Sequence, residues 1–451
     1  MLPGQVRRFC GKKENTDRLN LFPDTTTINH NSLTIGGCDL TSLADQFGTP
    51  LYLYDRATLD NALAAYQSSL AEFYPGVSCL TYAGKAFMCL AIAEWTQQQG
   101  LWVDCTGLGE IAIAVATGVP RERLLAHGVN KSAADLEAAC EHAGVIVVDN
   151  LTEIQRLIEI SHHRSIPDLW LRFQPGLAMK THAYIQTGHA GSKFGMDAEQ
   201  ILHAAKLCRN NNLSLSGLHF HQGSQFHDPA PLALAIERAL DLVRTISFND
   251  SWTLSPGGGW AAADHEDELP QPDLADYIRL VTGTLVRNCR ERSLSLPRLH
   301  LEPGRSLVAR AGVALYRVGT VKQTADRVWA LLDGGMTDNP RPAFYGAYYS
   351  ALPVRGPERL VKKPVWFAGS YCESGDVMIE ALPFPEVLEG DLVAVPVSGV
   401  YQLSLSSNYN GGRRPAALWL DHGRVQLIQA REPVEDLFRR DHRLVKPAGT
   451  G

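Results

Sequence analysis

Eight short runs of β-branched and other apolar residues recur along the sequence, and each is followed by a polar turn. The runs end near Tyr82, Val103, Ala126, Val148, Phe173, Phe220, Leu254 and Leu301. Stretches with helical spacing, among them 133–142, 151–161, 198–209 and 230–246, separate the runs. Eight alternating β and α segments over about 230 residues predict a (β/α)₈ barrel, an α/β fold built on a closed parallel sheet.

Polar residues or glycines stand at the carboxyl end of every run. They are Lys85, Asp104, His127, Asp149, Arg172, His221, the triplet Gly257–Gly259 and Glu302. A barrel carries its active site on that face, so these residues are expected to converge at its mouth. Strand ends are often polar in any case, which is the alternative explanation of the pattern.

The 451 residues are too many for one ordinary core, and the pattern changes after Val308. Beyond that residue, short apolar runs alternate with Gly, Pro and Asp turns, which is typical of an all-β domain. The predicted division has an N-terminal extension over 1–50 that contributes to the β-domain, a barrel over 51–308 and a C-terminal β-domain over 309–451.

Charge and composition exclude several classes of protein. The net charge is −6 without a long basic run, so a nucleic-acid surface is not expected. No apolar stretch approaches the roughly 20 residues that span a bilayer, and no apolar segment of a secretory signal follows the basic N-terminal residues. Nine cysteines without regular spacing fit reduced thiols, so we expect a cytoplasmic protein without membrane association or a structural metal site.

Lys85 and Glu302 are the residues that most favour catalysis at the barrel mouth. Lys85 lies in the small, apolar run YAGKAF, where desolvation would lower the pKa of its amine and make it a nucleophile toward an aldehyde. A carboxylate such as Glu302 can hold a pyridine nitrogen protonated, which makes the ring an electron sink. Taken singly, Lys85 could be a solvated surface lysine, and Glu302 could pair with an arginine.

Two further segments suggest binding of a phosphate or of a metal ion. Gly257–Gly259 would let backbone N–H groups approach a phosphate closely, and Ser224 adds a hydroxyl donor. His219 and His221 are two residues apart on a strand, so they could instead bind a metal, as in amidohydrolase barrels. Those enzymes carry the pair on the first strand, whereas here it follows the sixth, so the metal interpretation is the weaker one.

Polar and thiol-bearing turns also occur in the predicted β-domain. Cys372 lies in the run CESGD, whose acidic and hydroxyl neighbours favour a wet or functional surface over a buried position. Tyr401 and the stretch 406–410 crowd hydroxyls and amides together in the same way.

Nine motifs in order resemble the alanine-racemase-like (fold type III) decarboxylases that use pyridoxal phosphate, and most closely the meso-diaminopimelate decarboxylases. The resemblance runs from about residue 51 to 437. The motifs are YAGKAF, HGVNKS, SKFGM, HFHQGSQ, PGGGW, EPGRSLVA, DGGMTDNPRPAFYGAY, CESGD and SNYNG. The resemblance implies decarboxylation of meso-2,6-diaminopimelate to L-lysine, with CO₂ as the second product.

The resemblance also implies a role for each matching residue. Lys85 would bind the cofactor aldehyde covalently, His221 would stack on its ring, and Glu302 would pair with its ring nitrogen. The residues implied to hold the phosphate end are Ser224, Gly258, Gly259 and Tyr401, and Gly304 is also implied to bind the cofactor. Those implied to contact the substrate are Arg305, Arg341, Tyr345, Glu373 and Tyr401. Cys372 and Glu373 would come from the partner subunit of a homodimer, and either Cys372 or Lys85 would reprotonate the α-carbon.

The chain departs from the family at three positions near the expected cofactor site. Phe87 and Val129 stand where asparagines are usual, and Val400 stands where alanine is usual. These changes bear on the identity of the substrate, so another basic amino acid or a natural-product conjugate remains an alternative. Racemization on the same fold is disfavoured by the CESGD loop. A catalytically inactive homologue is disfavoured by the presence of Lys85, Glu302 and Cys372 together.

Overall fold

The structure is a computed structural model that describes residues 18–177, 191–246, 248 and 251–444. In its N-terminal part, a small antiparallel sheet precedes a helix, a strand and a long helix. These elements are β1 (Thr27–Asn29), β2 (Ser32–Ile35), β3 (Cys38–Asp39), α1 (Leu40–Phe47), β4 (Leu51–Asp55) and α2 (Arg56–Phe73).

Eight parallel strands then close into a barrel, which confirms the predicted fold. The strands are β5 (Ser78–Ala83), β6 (Trp102–Thr106), β7 (Leu124–His127), β8 (Val145–Val148), β9 (Asp168–Arg172), β10 (Leu215–His219), β11 (Thr253–Gly257) and β12 (Arg298–Leu301). The helices between them are α3 (Leu90–Gln98), α4 (Leu108–Ala116), α5 (Ala133–His142), α6 (Leu151–Ser161), α7 (Ala198–Asn210), α8 (Ala230–Val243) and α9 (Leu274–Glu291).

The predicted helices agree with those observed because local signals fix their beginnings. Ser132 and Asp135 form a reciprocal capping box at the start of α5, and Asp197 and Gln200 form another at the start of α7. Each box satisfies backbone N–H groups that the helix itself leaves unpaired. Helix α8 ends at Val243, three residues before the predicted end, so only the C-terminal boundary of this helix differs.

The second domain is a β-sheet assembly with two short helices. Helix α10 (Arg305–Val308) follows the barrel, and α11 (Arg341–Tyr345) lies between strands. The strands are β13 (Gly312–Gln323), β14 (Val328–Leu332), β15 (Leu352–Pro353), β16 (Lys363–Ala368), β17 (Val377–Phe384), β18 (Leu392–Val395), β19 (Ala416–Asp421) and β20 (Arg424–Gln429). The main path of the sheet runs β17-β16-β14-β13-β4-β19-β20.

Strand β4 corrects the predicted beginning of the barrel domain at residue 51. It pairs antiparallel with β13 and parallel with β19, so Leu51–Asp55 is a central strand of the second sheet. The first strand of the barrel begins only at Ser78. Apolar residues of the N-terminal segment, including Leu33 and Ile35, pack with Leu53 and Leu315 in one cluster against that sheet.

The two domains also share a continuous apolar core. Tyr54 on β4 stacks on Phe87, with 4.6 Å between ring centroids and 4° between ring planes. Phe87, one of the unusual residues after Lys85, is therefore a core residue where the barrel meets the second sheet. Among the described residues, no helix combines the length and apolar character needed to cross a membrane.

Candidate active site

Lys85 lies at the mouth of the barrel but is not buried as its apolar neighbours suggested. It belongs to a single 3₁₀ turn, Gly84–Ala86, directly after β5, and its side chain is exposed. The prediction from the sequence that the Lys85 side chain is desolvated is therefore wrong. The positive charge of Lys85 instead acts on the acidic groups around it, favouring the ionised forms of Asp104, Glu110 and Glu302.

Glu302 follows β12 and is a buried carboxylate with two hydrogen-bond donors. His219 Nε2 lies 3.2 Å from Glu302 Oε2, and the Ser255 hydroxyl donates to Oε1 at 2.6 Å. Burial opposes ionisation, but the charge and hydrogen bond of His219, with Ser255 and Lys85, outweigh it and lower the pKa of Glu302 to about 2. Glu302 is therefore a fixed anion at neutral pH and can pair with a protonated ring nitrogen.

Asp104 on β6 behaves in the opposite way. Burial, followed by repulsion from the Glu302 carboxylate, raises the pKa of Asp104 to about 8. Its Oδ1 atom has no hydrogen-bond partner among the described residues. At neutral pH this site therefore holds one ionised and one protonated carboxyl group, with the exposed amine of Lys85 beside them.

The two histidines of the HFH motif have different surroundings, which argues against the weaker alternative that they form a metal-ligand pair. His219 ends β10 and contacts Glu302 and His127, whose Nε2 lies 3.4 Å from that of His219. His221 lies beyond the strand, with its Nδ1 3.4 Å from the backbone N of Gly258. The potential ligand atoms of His127, His219 and Glu302 lie within 4.8 Å of one another. A metal ion bound between them would therefore have His127 as a ligand, and not His221.

The glycine loop forms a cradle that larger residues could not line. A Cβ on Gly258 would lie 2.1 Å from the backbone oxygen of Glu302, and one on Gly259 would lie 2.1 Å from that of Gly223. Gly259 also has a φ of +105°, which disfavours any residue with a side chain. Gly304 is less tightly enclosed, since a Cβ there would lie 3.1 Å from that of Ala86.

Ser224, Arg305 and Tyr401 meet beside this cradle. Arg305 Nε donates to the Ser224 hydroxyl at 3.3 Å, and its guanidinium lies 5.1 Å from the centroid of the Tyr401 ring. The backbone N–H of Tyr401 donates to the carbonyl of Ala86 at 3.0 Å, which ties the second domain to the turn that carries Lys85. Val400 is fully buried and belongs to the apolar cluster against which Tyr401 packs, so this departure from the family adds bulk to that cluster.

The guanidinium of Arg341 is largely occupied by protein groups, which leaves few of its donors for the predicted contact with a substrate carboxylate. Asp264 accepts two hydrogen bonds from it, at 2.8 Å from Nη2 and 3.4 Å from Nη1, and Tyr349 accepts another from Nη1. Tyr345, at the end of the same helix α11, is half-buried. Sequence reasoning missed Asp264 and Tyr349, since neither lies in a glycine-rich or strand-end motif.

Cys372 and Glu373 are both exposed. The backbone N of Cys372 donates to Asn410 Oδ1 at 3.0 Å, so the CESGD and SNYNG motifs contact each other. Asp376 of the same loop is buried and accepts hydrogen bonds from Met336 and Tyr371 backbone N–H groups, which fix the turn. Within the described part of one chain, no hydrogen bond or ion pair joins Cys372 or Glu373 to the cluster around Lys85.

These residues fit pyridoxal phosphate, which carries an aldehyde, a ring nitrogen and a phosphate. The amine of Lys85 suits the aldehyde, the buried anion of Glu302 suits the protonated nitrogen, and the cradle at Gly258 and Gly259 suits the phosphate. His219, a conspicuous half of the HFH motif, was missed as the partner of Glu302. Ser255, the other partner, directly precedes the Pro-Gly-Gly-Gly run and has no distinguishing pattern of its own.

Comparison with known proteins also indicates an enzyme that uses pyridoxal phosphate. Residues 57–309 match the family described as pyridoxal-dependent decarboxylase, pyridoxal binding domain. Diaminopimelate decarboxylase from Actinosynnema pretiosum subsp. auranticum is 38% identical over 426 residues, covering 93% of this chain and 95% of the relative. The enzyme of that name from Bacillus subtilis (strain 168) is also 38% identical, over 91% of this chain and 95% of its own length.

The fold of a solved structure is similar to that of this chain over almost its whole length. Diaminopimelate decarboxylase from M. jannaschii, in complex with L-lysine, has a TM-score of 0.85 and 29% sequence identity, covering 93% of this chain and 98% of that one. The chain is thus a barrel enzyme of the pyridoxal-dependent decarboxylase class. It belongs to the diaminopimelate decarboxylase family.

Proposed function

We propose that this enzyme removes CO₂ from meso-2,6-diaminopimelate and releases L-lysine. One observation carries the proposal. Over more than nine-tenths of its length the chain is 38% identical to enzymes that are named for this substrate. The cluster of Lys85, Glu302 and the glycine cradle supports the reaction class independently. Arg305 Nη1 is buried without a hydrogen-bond partner among the described residues and supplies a cationic donor for the carboxylate that the substrate retains. Arg341 is paired with Asp264 and Tyr349, so only its Nε is left to add a second donor.

The residues of the chain divide the work of the reaction. Pyridoxal phosphate, held by Lys85, Glu302 and the glycine cradle, would supply an electron sink for the pair of electrons left on the α-carbon when the bond to CO₂ breaks. Lys85 binds the cofactor, and Glu302, fixed as an anion by His219 and Ser255, holds the ring nitrogen protonated. A proton must then reach the α-carbon, and two groups can supply it, the ammonium of Lys85 and the thiol of Cys372.

The proposal includes a homodimer in which each active site uses residues of both subunits. Cys372 and Glu373 support it, because both are exposed and neither contacts the Lys85 cluster of its own chain. Large exposed aromatic side chains lie near these residues: Phe344 is next to Tyr345, and Tyr409 is next to Asn410, which contacts Cys372. Exposed aromatics of this kind are typical of protein interfaces. A cytoplasmic location is part of the same proposal and suits the eight described cysteines, all free thiols.

The test is a comparison of CO₂ release from three amino acids. meso-Diaminopimelate should yield L-lysine, whereas lysine and ornithine should react at least about 10²-fold more poorly in kcat/KM, because they lack the second carboxylate and leave buried arginine donors unpaired. Product is measured by chromatography alongside labelled CO₂. Comparable kcat/KM for lysine or ornithine would reject this substrate while leaving the decarboxylase class in place.

Glu302 and Asp104 provide a matched pair of carboxyl-to-amide substitutions. Glu302→Gln removes a fixed anion and a charge-assisted hydrogen bond, so kcat should fall at least about tenfold. Asp104→Asn should change kcat less than about threefold at pH 7, because a carboxyl with its pKa raised to about 8 is already neutral there. Equal losses in both variants would contradict the assignment of charges.

Stability should also depend on pH in opposite directions at the two residues. A lowered pKa in the folded state makes ionised Glu302 stabilising above about pH 4.5, and this contribution is lost as the pH falls toward about 2. A raised pKa makes protonated Asp104 stabilising relative to its ionised form, so stability is lost as the pH rises from about 4 to about 8. Urea unfolding of Asp104→Asn between pH 5 and 8.5 should show a weaker decline than the wild type.

A further inference from the structure

Two buried arginines share one carboxylate beside the glycine cradle. Asp264 lies in the loop after Gly257–Gly259 and is bound in a bidentate ion pair by Arg341. Its Oδ1 also lies 4.0 Å from Arg305 Nη1. The side chains of all three residues are 7% exposed or less, so their charges interact with little screening by water.

Hydrogen bonds hold this group in place from both sides. Tyr349 accepts from Arg341 Nη1 and is itself bound by Gln402 Nε2 at 2.9 Å, and the backbone N of Asp264 donates to Glu268 at 2.9 Å. Tyr349 and Gln402 belong to the second domain, as Arg341 does, whereas Glu268 belongs to the same barrel loop as Asp264. The ion pair of Asp264 and Arg341 is therefore held in place by groups from both domains.

Two guanidinium nitrogens in the group have no hydrogen-bond partner among the described residues. They are Arg305 Nη1 and Arg341 Nε, and both are buried. An unpaired buried donor is costly, so these atoms favour an incoming acceptor such as a carboxylate. With Asp264 in place, the three side chains carry one net positive charge instead of two.

We propose that Asp264 is a specificity-determining residue, which makes the pocket select an amino-acid end that carries both a carboxylate and an ammonium group over an end that carries a carboxylate alone. Its negative charge weakens the attraction of the two arginines for an added anion and favours a cation beside it. The inference rests on the proposed function, because it takes Arg305 and Arg341 as lining the substrate pocket. It adds a residue that the motifs did not indicate.

The test compares two ligands by isothermal titration calorimetry on the holoenzyme. L-Lysine has an amino-acid end with both groups, and pimelate has two carboxylates and no amine. In Asp264→Asn, the affinity for pimelate relative to lysine should rise at least tenfold over the wild type. Asp267→Asn is the matched control, since it removes a carboxylate of the same loop that is 58% exposed, and should leave the ratio within threefold of the wild type.

Two more variants keep the test independent of the stability of Asp264→Asn. Arg341→Gln should lower the relative affinity for pimelate at least tenfold, and adding Asp264→Asn to it should restore the wild-type ratio within threefold, because the net charge is restored. A ratio that does not change with Asp264, in either background, overturns the proposal, as does failure of the wild type to bind either ligand. Absence of CO₂ release from meso-diaminopimelate, with these ratios as expected, would overturn only the proposed substrate.

Discussion

Replacing Lys85 with alanine is expected to lower kcat at least about 10³-fold, a loss of about 4 kcal/mol of transition-state stabilisation, and to abolish covalent attachment of the cofactor. The reason is the position of the Lys85 side chain. Lys85 is the residue whose charge acts on Asp104, Glu110 and Glu302 together, at the end of β5. Lys131 is also near the barrel mouth, but it is buried in an ion pair with Glu153 at 2.5 Å and cannot replace Lys85.

Borohydride reduction followed by peptide mapping checks the attachment directly. The wild type should carry the reduced cofactor on the peptide that contains Lys85, and the Lys85→Ala protein should carry none. Lys206→Ala is a suitable control, because Lys206 is an exposed lysine on helix α7 and does not follow a barrel strand. Labelling of another lysine in the wild type would refute the assignment of Lys85.

The barrel was predictable because its determinants are local. Each β/α unit brings its own apolar run, polar turn and helix cap, as with Ser132 and Asp135 at α5, and the connection of parallel strands through helices leaves few alternatives. The same rule placed Glu302 and His221 at the mouth. Residues at strand ends need no knowledge of distant partners, so this part of the candidate site followed from the strand pattern. The contacts assigned to Arg305, Arg341 and Tyr401 came from the family resemblance instead.

The errors concern contacts between residues distant in the sequence. Strand β4 has an apolar run like those of the barrel, but its partners β13 and β19 lie more than 250 residues further along the chain, and only their register assigns it to the second sheet. Asp264 and Arg341 are 77 residues apart, and nothing near Asp264 indicates an ion pair. The exposure of Lys85 depends on the whole barrel mouth, which its apolar neighbours do not describe.

Mixing two inactive variants should regenerate activity if the active sites are shared between subunits. In the proposed dimer, Lys85 of one chain works with Cys372 of the other, so a heterodimer of Lys85→Ala and Cys372→Ala chains contains one site with both residues intact. Random exchange of subunits makes about half of the dimers heterodimers, so the mixture should reach about a quarter of wild-type activity. The exposed position of Cys372, away from the Lys85 cluster of its own chain, is the structural reason to expect this result.

Native mass spectrometry of differently tagged chains must show that exchange has occurred before the activity is compared. If the site lay within one chain, each chain of the heterodimer would lack one essential residue, and the mixture would stay as inactive as its parents. Ser374→Ala is the matched control for the loop, because Ser374 is exposed two residues from Cys372, and mixing it with Lys85→Ala should add no activity beyond that of its own intact sites. Near-normal turnover by Cys372→Ala alone would reject the role of the thiol and leave the ammonium of Lys85 as the proton donor to the α-carbon, since these are the two groups that the proposed site offers for that step.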